Sequence, residues 1–420
     1  MEGVDNNTSE KVVTTNDINN SDRKKTELGK IPSHWQIKSI GEIGDVTKLS
    51  GFEYTKHIKY NQTGEIIALR ALNVREGVLD LSDVKRINKS TSDSLERSKL
   101  YKGDLLFTYV GANIGQFALI PESDKFHLAP NICRIRANEN YSSDFLYSYF
   151  RSNRFQDSLE GYYHGSSQPT MPMGTIRQIL VPVPPKNEQV SIAKVLHSLT
   201  DKIELLNRQN KTLEELAKTL FRQHFIEVVN EEWDEEPLSS IATFLNGLAC
   251  QKYPPKNEID KLPVLKIKEL KAGFTDNSDY VSTEVDEKYF VQNGDVIFSW
   301  SASLVVKIWD GEDCILNQHL FKVTSERFPK WFFYLWSKYH LDMFIAIARA
   351  HATTMGHIKR GDLDDATVII PPPAELTRMN KIFTPIIDKI IANNKQIKQV
   401  EKLRDTLLPK LMSGEVRVKQ

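Results

Sequence analysis

A helical segment that occurs twice is the feature that most constrains this chain. DKIELLNRQNKTLEELAKTLF runs from Asp201 to Phe221, and DKIIANNKQIKQVEKLRDTLL runs from Asp388 to Leu408. These copies are offset by 187 residues, and the same offset holds from His164 and His351 to the last residue. A constant offset indicates an internal duplication in which each repeat is one structural unit.

The segments before each helix also match, but their spacing varies. Trp35 aligns with Trp233 at an offset of 198, and Gly103 aligns with Gly294 at an offset of 191. GDLLFTYVG and GDVIFSWSA are apolar, aromatic and β-branched runs after a Gly-Asp turn, a pattern that predicts strands. Each repeat is therefore predicted to be a variable, strand-rich globular half followed by a helix of constant length.

Apolar residues in the two helices are spaced alternately by four and three positions, which is typical of helices packed against each other. The two seams consist of Ile192, Leu196, Leu199, Ile203, Leu206, Asn210, Leu213, Ala217 and Leu220 in the first copy, and of Met379, Phe383, Ile386, Ile390, Asn393, Ile397, Val400, Arg404 and Leu407 in the second. Each run is about 40 residues, or about 60 Å of helix. We expect the two helices to lie antiparallel, with Asn210 and Asn393 fixing their register.

The predicted fold class is α+β, with two pseudo-repeated globular strand-rich domains separated by two long antiparallel coiled-coil helices. The expected boundaries are a disordered tail at 1–30, a first globular domain at 31–183, a central helix at 184–228, a second globular domain at 229–370 and a C-terminal helix at 371–420.

Composition limits the function classes. The formal net charge is zero, so a nucleic-acid surface would have to be a local patch. Three widely spaced cysteines, Cys133, Cys250 and Cys314, fit neither a disulfide framework nor a zinc site. We find no signal peptide and no membrane-spanning run, so a cytoplasmic location is expected.

Polar loops that contain or border glycine flank the predicted strands in both halves, and their side chains are of the types that hydrogen-bond phosphates and base edges. The candidate DNA-binding residues are Ser50, Gly51, Tyr54, Lys56, Asn113, Gln116, His164, Ser166, Ser167, Gln168, Thr170, Asn246, Gln251, Lys252, Ser301, Ser303, Thr353, Thr354, His357, Lys359 and Arg360. Ordinary solvated turns have the same composition, so the sequence leaves both interpretations open.

Several motifs resemble those of one protein family. The C-terminal LRDTLLPKLMSGEVRV, the junctions VPVPPKNEQ and VIIPPPAEL, and the central LAKTLFRQHF are similar to segments of the specificity subunit of type I restriction-modification systems. The resemblance covers residues 31–420. It implies that the two globular domains are target recognition domains, each reading one half of a bipartite asymmetric site in double-stranded DNA.

The resemblance also implies which partners supply the chemistry. Two modification subunits would carry S-adenosylmethionine and methylate adenine, and two restriction subunits would act as an ATP- and Mg-dependent motor-nuclease. The chain itself would hold no cofactor and would position these enzymes without catalysis. In that arrangement five residues off the helical seam would be free to pack against modification-subunit helices: Leu205, Phe221, Phe225, Ile387 and Ile391.

Two other functions remain open at this stage. A stand-alone Mg-dependent endonuclease could use Asp260 with Glu269 and Lys271, although the repeat lacks an equivalent set. A coiled-coil assembly protein without nucleic-acid binding would also have these helices. We find neither a phosphate-binding G-x-x-x-x-G-K-[ST] loop nor the Asn-Pro-Pro-aromatic motif of amino-methyltransferases. His164 and His351 lack a local carboxylate, which favours a capping or phosphate-contacting role over acid-base catalysis.

Overall fold

A computed structural model describes residues 22–75, 77–162, 169–228, 232–350 and 356–418. The chain forms two compact units. Unit 1 contains the residues up to 201 together with 402–420, and unit 2 contains residues 202–401. The fold class is α+β, as the sequence predicts. Within the described residues, no helix combines the length and the apolar character needed to cross a bilayer.

Short strands dominate the globular part of unit 1. They are β1 (Arg23–Thr26), β2 (Gly29–Pro32), β3 (Gln36–Ser39), β4 (Gly44–Lys48), β5 (Ile66–Leu69), β6 (Val74–Arg75), β7 (Val78–Leu79), β8 (Lys85–Ile87), β9 (Lys99–Leu100), β10 (Leu105–Thr108), β11 (Phe117–Leu119), β12 (Phe126–Leu128), β13 (Ile132–Ala137) and β14 (Leu180–Val183). The helices are α1 (Ile40–Ile43), α2 (Gly51–His57), α3 (Lys89–Ser94), α4 (Ser143–Phe150), α5 (Asn153–Leu159), α6 (Met173–Gln178) and the first part of α7 (Lys186–Arg222).

Unit 2 repeats this arrangement with fewer strands. They are β15 (Asp234–Pro237), β16 (Thr243–Asn246), β17 (Lys261–Leu265), β18 (Tyr280–Ser282), β19 (Phe290–Val291), β20 (Val296–Ser299), β21 (Val305–Ile308), β22 (Cys314–Leu316), β23 (Leu320–Thr324) and β24 (Thr367–Ile370). The helices are α8 (Leu238–Ile241), α9 (Ile267–Ala272), α10 (Lys330–Tyr339), α11 (Leu341–Ala350), α12 (Arg360–Asp364) and α13 (Pro373–Met412), and α7 continues into a π-helical turn at Gln223–Glu227.

Two four-stranded sheets form the centre of each unit. In unit 1 the strand orders are β11-β10-β13-β4 and β8-β5-β12-β9, and in unit 2 they are β16-β23-β20-β21 and β18-β17-β22-β19. The predicted strands after the Gly-Asp turns are β10 and β20, and all four residues of each are buried. Gly103 and Gly294 in those turns have φ of 87° and 95°, a conformation that favours glycine because it has no Cβ.

The long helices α7 and α13, here called the helix pair, pack in antiparallel directions within each unit. In unit 2, Ile203 and Leu206 lie against Ile397 and Val400. In unit 1, the apolar core includes Ile192 and Leu196 of α7 together with Leu407 and Leu411 of α13. Every predicted seam residue is buried or half-buried, which confirms the heptad interpretation.

The two seam asparagines bond to each other inside unit 2. Asn393 Nδ2 donates to Asn210 Oδ1 at 2.9 Å, and Asn210 Nδ2 donates to Asn394 Oδ1 at 2.6 Å. Both seam side chains are at most 8% exposed. Since a buried amide needs a hydrogen-bonding partner, this contact favours one alignment of the two helices over shifted ones.

The predicted N-terminal disordered tail, 1–30, extends too far along the chain. Strands β1 and β2 form an antiparallel hairpin that begins at Arg23, whereas disorder was expected to residue 30. The hairpin is held by the C-terminal segment, because Arg23 Nη2 donates to the Ser413 carbonyl at 3.0 Å and Gly414 lies against Pro32. Strand β1 is charged and contains no apolar run, so the residue pattern did not predict it. The rest of the predicted tail, residues 1–21, lies outside the described residues.

Candidate nucleic-acid interface

Three loops predicted to contact DNA meet at one edge of unit 1. The loop after β10 pairs with the segment before α6 through a bridge between Val110 and Thr170. Two backbone bonds support it, from Gly111 N to the Pro169 carbonyl at 3.0 Å and from Met171 N to the Tyr109 carbonyl at 2.9 Å. The third predicted loop, 50–56, instead forms helix α2 after β4, and at the end of β4 the Nζ of Lys48 lies 5.3 Å from the centroid of the Tyr109 ring.

The same three loops meet in unit 2. Ser301 forms a bridge with His357, and the Ile358 N–H donates to the Trp300 carbonyl at 3.0 Å. The indole Nε1 of Trp300 donates to Asn246 Oδ1, at the end of β16, at 3.2 Å. These contacts correspond to those of unit 1 at the offsets of 198, 191 and 187 found in the sequence.

Ala302 adopts an unusual backbone conformation in this loop. Its φ is 57°, and the aligned residue of unit 1 is Gly111, whose φ is 91°. A left-handed conformation costs a residue with a Cβ roughly 1 kcal/mol. Its N–H donates to the Gly356 carbonyl at 2.8 Å, so the segment after α11 fixes the loop in this shape. Backbone strain of this kind is common at functional sites.

In unit 1, the candidate residues divide into exposed side chains and side chains that serve the fold. Exposed at the described edge or on α2 are Gly51, Lys56, Asn113 and Thr170. Ser50 caps α2 by accepting a bond from the Glu53 N–H at 3.2 Å, and Tyr54 packs 6.2 Å from the Tyr60 ring. Gln116 is half-buried. Ser50 and Tyr54 are thus accounted for by local structure.

In unit 2, one candidate DNA-binding residue is buried. Ser301 is 6% exposed, and its Oγ lies 3.3 Å from His319 Nδ1, so its hydroxyl faces the protein. Candidates that remain exposed are Asn246, Gln251, Lys252, Ser303, His357, Lys359 and Arg360. The candidates His164, Ser166, Ser167, Gln168, Thr353 and Thr354 lie outside the described residues.

A cationic pocket adjoins the Ala302 loop in unit 2. It has a volume of about 350 Å³, and its lining includes Lys271, Arg349, Ser303 and the backbone of Gly356. None of its lining residues is acidic. Both cationic side chains are exposed, so the pocket presents positive charge and hydrogen-bond donors beside the loop. No sequence pattern linked Lys271 on α9 with Arg349 on α11.

Two aromatic side chains at this interface were also missed. Tyr109 and Trp300 directly follow β10 and β20, where an aromatic residue is usually assigned to the core. Trp300 is half-buried and stacks on Phe321 with ring centroids 5.8 Å apart. Burial raises the pKa of the Tyr109 hydroxyl above its ordinary value. Tyr109 and Trp300 align at the offset of 191, and this recurrence of an aromatic residue beside a predicted loop could have indicated them from the sequence.

The structure contradicts three of the expected free surface residues on the helix pair. Phe221 and Phe225 are each 3% exposed and Ile387 is 2% exposed, all within the core of unit 2. Phe221 packs edge-on to Trp336 of α10 at 4.9 Å between centroids. The seam analysis allowed for contact with the second helix and omitted the globular domain. Leu205 is 43% exposed, and Ile391 is half-buried.

The three residues considered for a nuclease site, Asp260, Glu269 and Lys271, have different surroundings. Glu269 is 4% exposed and accepts a bond from Ser278 Oγ at 3.3 Å. Asp260 accepts a bond from the Asn257 amide at 2.8 Å, and Lys271 lines the cationic pocket. Over the described ranges, no group of three or more His, Cys, Asp or Glu side chains is arranged to hold a metal ion.

Comparisons with known proteins give a consistent result. The family model described as Type I restriction modification DNA specificity domain matches residues 32–215 and again residues 230–402. The Type I restriction enzyme MjaIX specificity subunit of Methanocaldococcus jannaschii is 27% identical over 426 residues, covering 94% of this chain and 97% of that protein. The Type I restriction enzyme EcoKI specificity subunit of Escherichia coli K12 is 23% identical, covering 92% and 90%.

A solved structure has a similar fold. The crystal structure of a type I restriction-modification system S subunit from M. genitalium has a TM-score of 0.57 at 15% identity, covering 90% of this chain and 96% of that one.

Proposed function

Because the chain belongs to the family of type I restriction-modification DNA specificity subunits, we propose that each of its two units reads one half of a bipartite, asymmetric DNA site. The observation that supports this most is the repeated meeting of three polar loops. In both units the same strand ends and the same backbone bridges bring these loops together, while the side chains on them differ. Two similar frames with different side chains suit two different half-sites.

Phosphate contacts would set the position of each unit on the duplex. In unit 2 the cationic pocket with Lys271 and Arg349 offers charged donors beside the Ala302 loop. Lys359 and Arg360 are exposed and follow closely after Gly356, whose carbonyl accepts a bond from the Ala302 N–H of that loop. Lys and Arg contacts to phosphates fix register on the duplex and make affinity depend on salt. The zero net charge of the chain is compatible with such local patches.

We propose further that the chain acts without catalysis and brings adenine-methylating and motor-nuclease partners to the site, in the cytoplasm. Two modification subunits would need two docking places. Unit 2 has a groove of about 550 Å³ whose lining includes Lys218, Phe221 and Arg222. At the corresponding place in unit 1, Leu408 aligns with Phe221 at the offset of 187.

The partner proposal can be tested on exposed charges of the groove. The double substitution Lys218→Glu and Arg222→Glu should reduce the copurified modification subunits from two to one per chain and leave the fold intact, because both side chains are exposed and unit 1 keeps its own docking place. Lys395→Glu, at an exposed position of α13, is the control. A double variant that still retains two modification subunits per chain would show that the docking surface lies elsewhere, for example at Leu205.

The DNA-reading proposal is tested by exchanging one domain. The chain is expressed with its modification subunit, and the methylated sites are mapped by single-molecule sequencing. Replacing residues 31–183 with the corresponding domain of a related subunit should change one half-site and preserve the other. A change in both half-sites would argue against independent reading. We propose in addition that the helix pair sets the length of the spacer between the two half-sites.

A further inference from the structure

In unit 1, three residues from separate parts of the chain come together through strand register. Lys48 pairs with Cys133 across β4 and β13, and Cys133 pairs with Phe107 across β13 and β10. Tyr109 lies two residues beyond Phe107, and its N–H donates to the carbonyl of Asn131, two residues before Cys133, at 3.1 Å. We call Lys48, Tyr109 and Asn131 triplet 1. Its Lys and Asn are exposed.

In unit 2, the same register holds three different residues. Asn246 pairs with Phe321 across β16 and β23, and Phe321 pairs with Phe298 across β23 and β20. Trp300 follows Phe298 by two residues, and His319 precedes Phe321 by two, with their ring centroids 6.0 Å apart. We call Asn246, Trp300 and His319 triplet 2. Asn246 and His319 are exposed, like their counterparts in unit 1.

The first member of each triplet presents hydrogen-bond donors to solvent. The indole of Trp300 donates to the amide oxygen of Asn246, which directs the amide NH₂ of Asn246 outward. The Lys48 ammonium has three donors and no acceptor, and it lies over the Tyr109 ring. In the major groove, donors match guanine O6 and N7, adenine N7 and thymine O4, and a lysine favours guanine.

We propose that triplet 1 and triplet 2 are specificity-determining residues, each selecting a base at one position of its own half-site through the major-groove edge. This inference rests on the proposed function. The shared register places both triplets where the three loops meet, and their different chemistry makes the two half-sites differ. Lys48 selects a base with an acceptor edge, guanine first, and Asn246 selects a base with an acceptor edge through a shorter, neutral side chain.

The test exchanges one triplet for the other in the full chain. Lys48→Asn, Tyr109→Trp and Asn131→His are introduced together, and the complex with the modification subunit selects duplexes from a library randomised at every position. We expect base preference to change by roughly 5- to 150-fold at one position of one half-site, with the other half-site unchanged. The control Lys85→Asn, at an exposed position in the other sheet of unit 1, should leave both half-sites unchanged.

A selected sequence identical to that of the unmodified complex, or an affinity loss that is equal for all sequences, would overturn the inference while leaving the proposed function in place. If the unmodified complex selects no sequence, the proposed function fails and the inference fails with it. Should the unit 1 variant not fold, the reciprocal exchange in unit 2, Asn246→Lys with Trp300→Tyr and His319→Asn, gives the same decision.

Discussion

Removing the two cations of the pocket in unit 2 should change how DNA binding responds to salt. Lys271 and Arg349 reach the pocket from α9 and α11, next to a loop whose shape is fixed by the Ala302–Gly356 bond. Neither side chain is buried, so Lys271→Ala combined with Arg349→Ala should preserve the fold. If each cation neutralises one phosphate, each releases counterions on binding.

The size of the effect depends on how many phosphates are no longer neutralised. Each phosphate contact contributes about 0.9 to the slope of log affinity against log salt, so removing two cations should make the slope shallower by about 1.8. Over a fourfold rise in salt from 50 to 200 mM, the affinity deficit of the double variant should therefore shrink about 12-fold. Phosphate contacts carry no sequence information, so the deficit should be similar for specific and unrelated duplexes.

Fluorescence anisotropy with a specific and a scrambled duplex, titrated at several salt concentrations, measures both quantities. The reference variant is Lys395→Ala, in which an exposed lysine of α13 is removed. An unchanged salt slope in the double variant would show that the pocket faces away from DNA. A deficit confined to the specific duplex would instead make these residues base readers, contrary to the reasoning above.

A charge at position 221 should disrupt the core of unit 2, where Phe221 is buried. In denaturant titrations Phe221→Asp should lower the free energy of unfolding by at least about 3–5 kcal/mol. A native-like stability would contradict the observed burial. Asn210→Ala removes the nearer acceptor of the Asn393 amide and leaves only Gln209 Oε1 at 3.5 Å, so it should cost about 1–3 kcal/mol, whereas an unchanged midpoint would mean that Gln209 or water replaces the bond. Burial lowers the pKa of His127 below the usual 6.5, so the unfolded chain binds the proton more tightly and stability is lost as pH falls below about 6.5. His127→Gln should flatten that part of the stability profile, and an equal slope in both proteins would exclude His127 as its source.

The duplication and the helix pair were predictable because both are periodic. The spacing of Ile203, Leu206 and Asn210 is local information that repeats 187 residues later, so neither a loop length nor a distant contact alters it. Helix periodicity does not reveal what covers the remaining faces. Phe221 and Phe225 lie against the aromatic residues of α10, a contact that depends on the fold of the whole domain.

The candidate interface was predictable as loops, and only in part as residues. Polar composition identified the surface segments in each repeat, but it did not show that Gly51–His57 forms helix α2. Nor could it separate exposed Asn246 from buried Ser301, since that difference depends on the turn after β20. Tyr109 and Trp300 were missed because an aromatic residue beside an apolar strand is usually a core residue. Their partial exposure arises where a strand ends and a loop turns back across it.

Because residues 402–418 complete unit 1, its two sequence-distant parts leave the ribosome at different times. All residues of unit 2 are present once position 401 has been synthesised. At that point unit 1 still lacks the hydrogen bond from Arg23 to the Ser413 carbonyl and the contact between Pro32 and Gly414. Unit 1, although synthesised first, is therefore the last to complete its contacts. A nascent chain released before residue 402 should be cleaved by proteases in its N-terminal domain first.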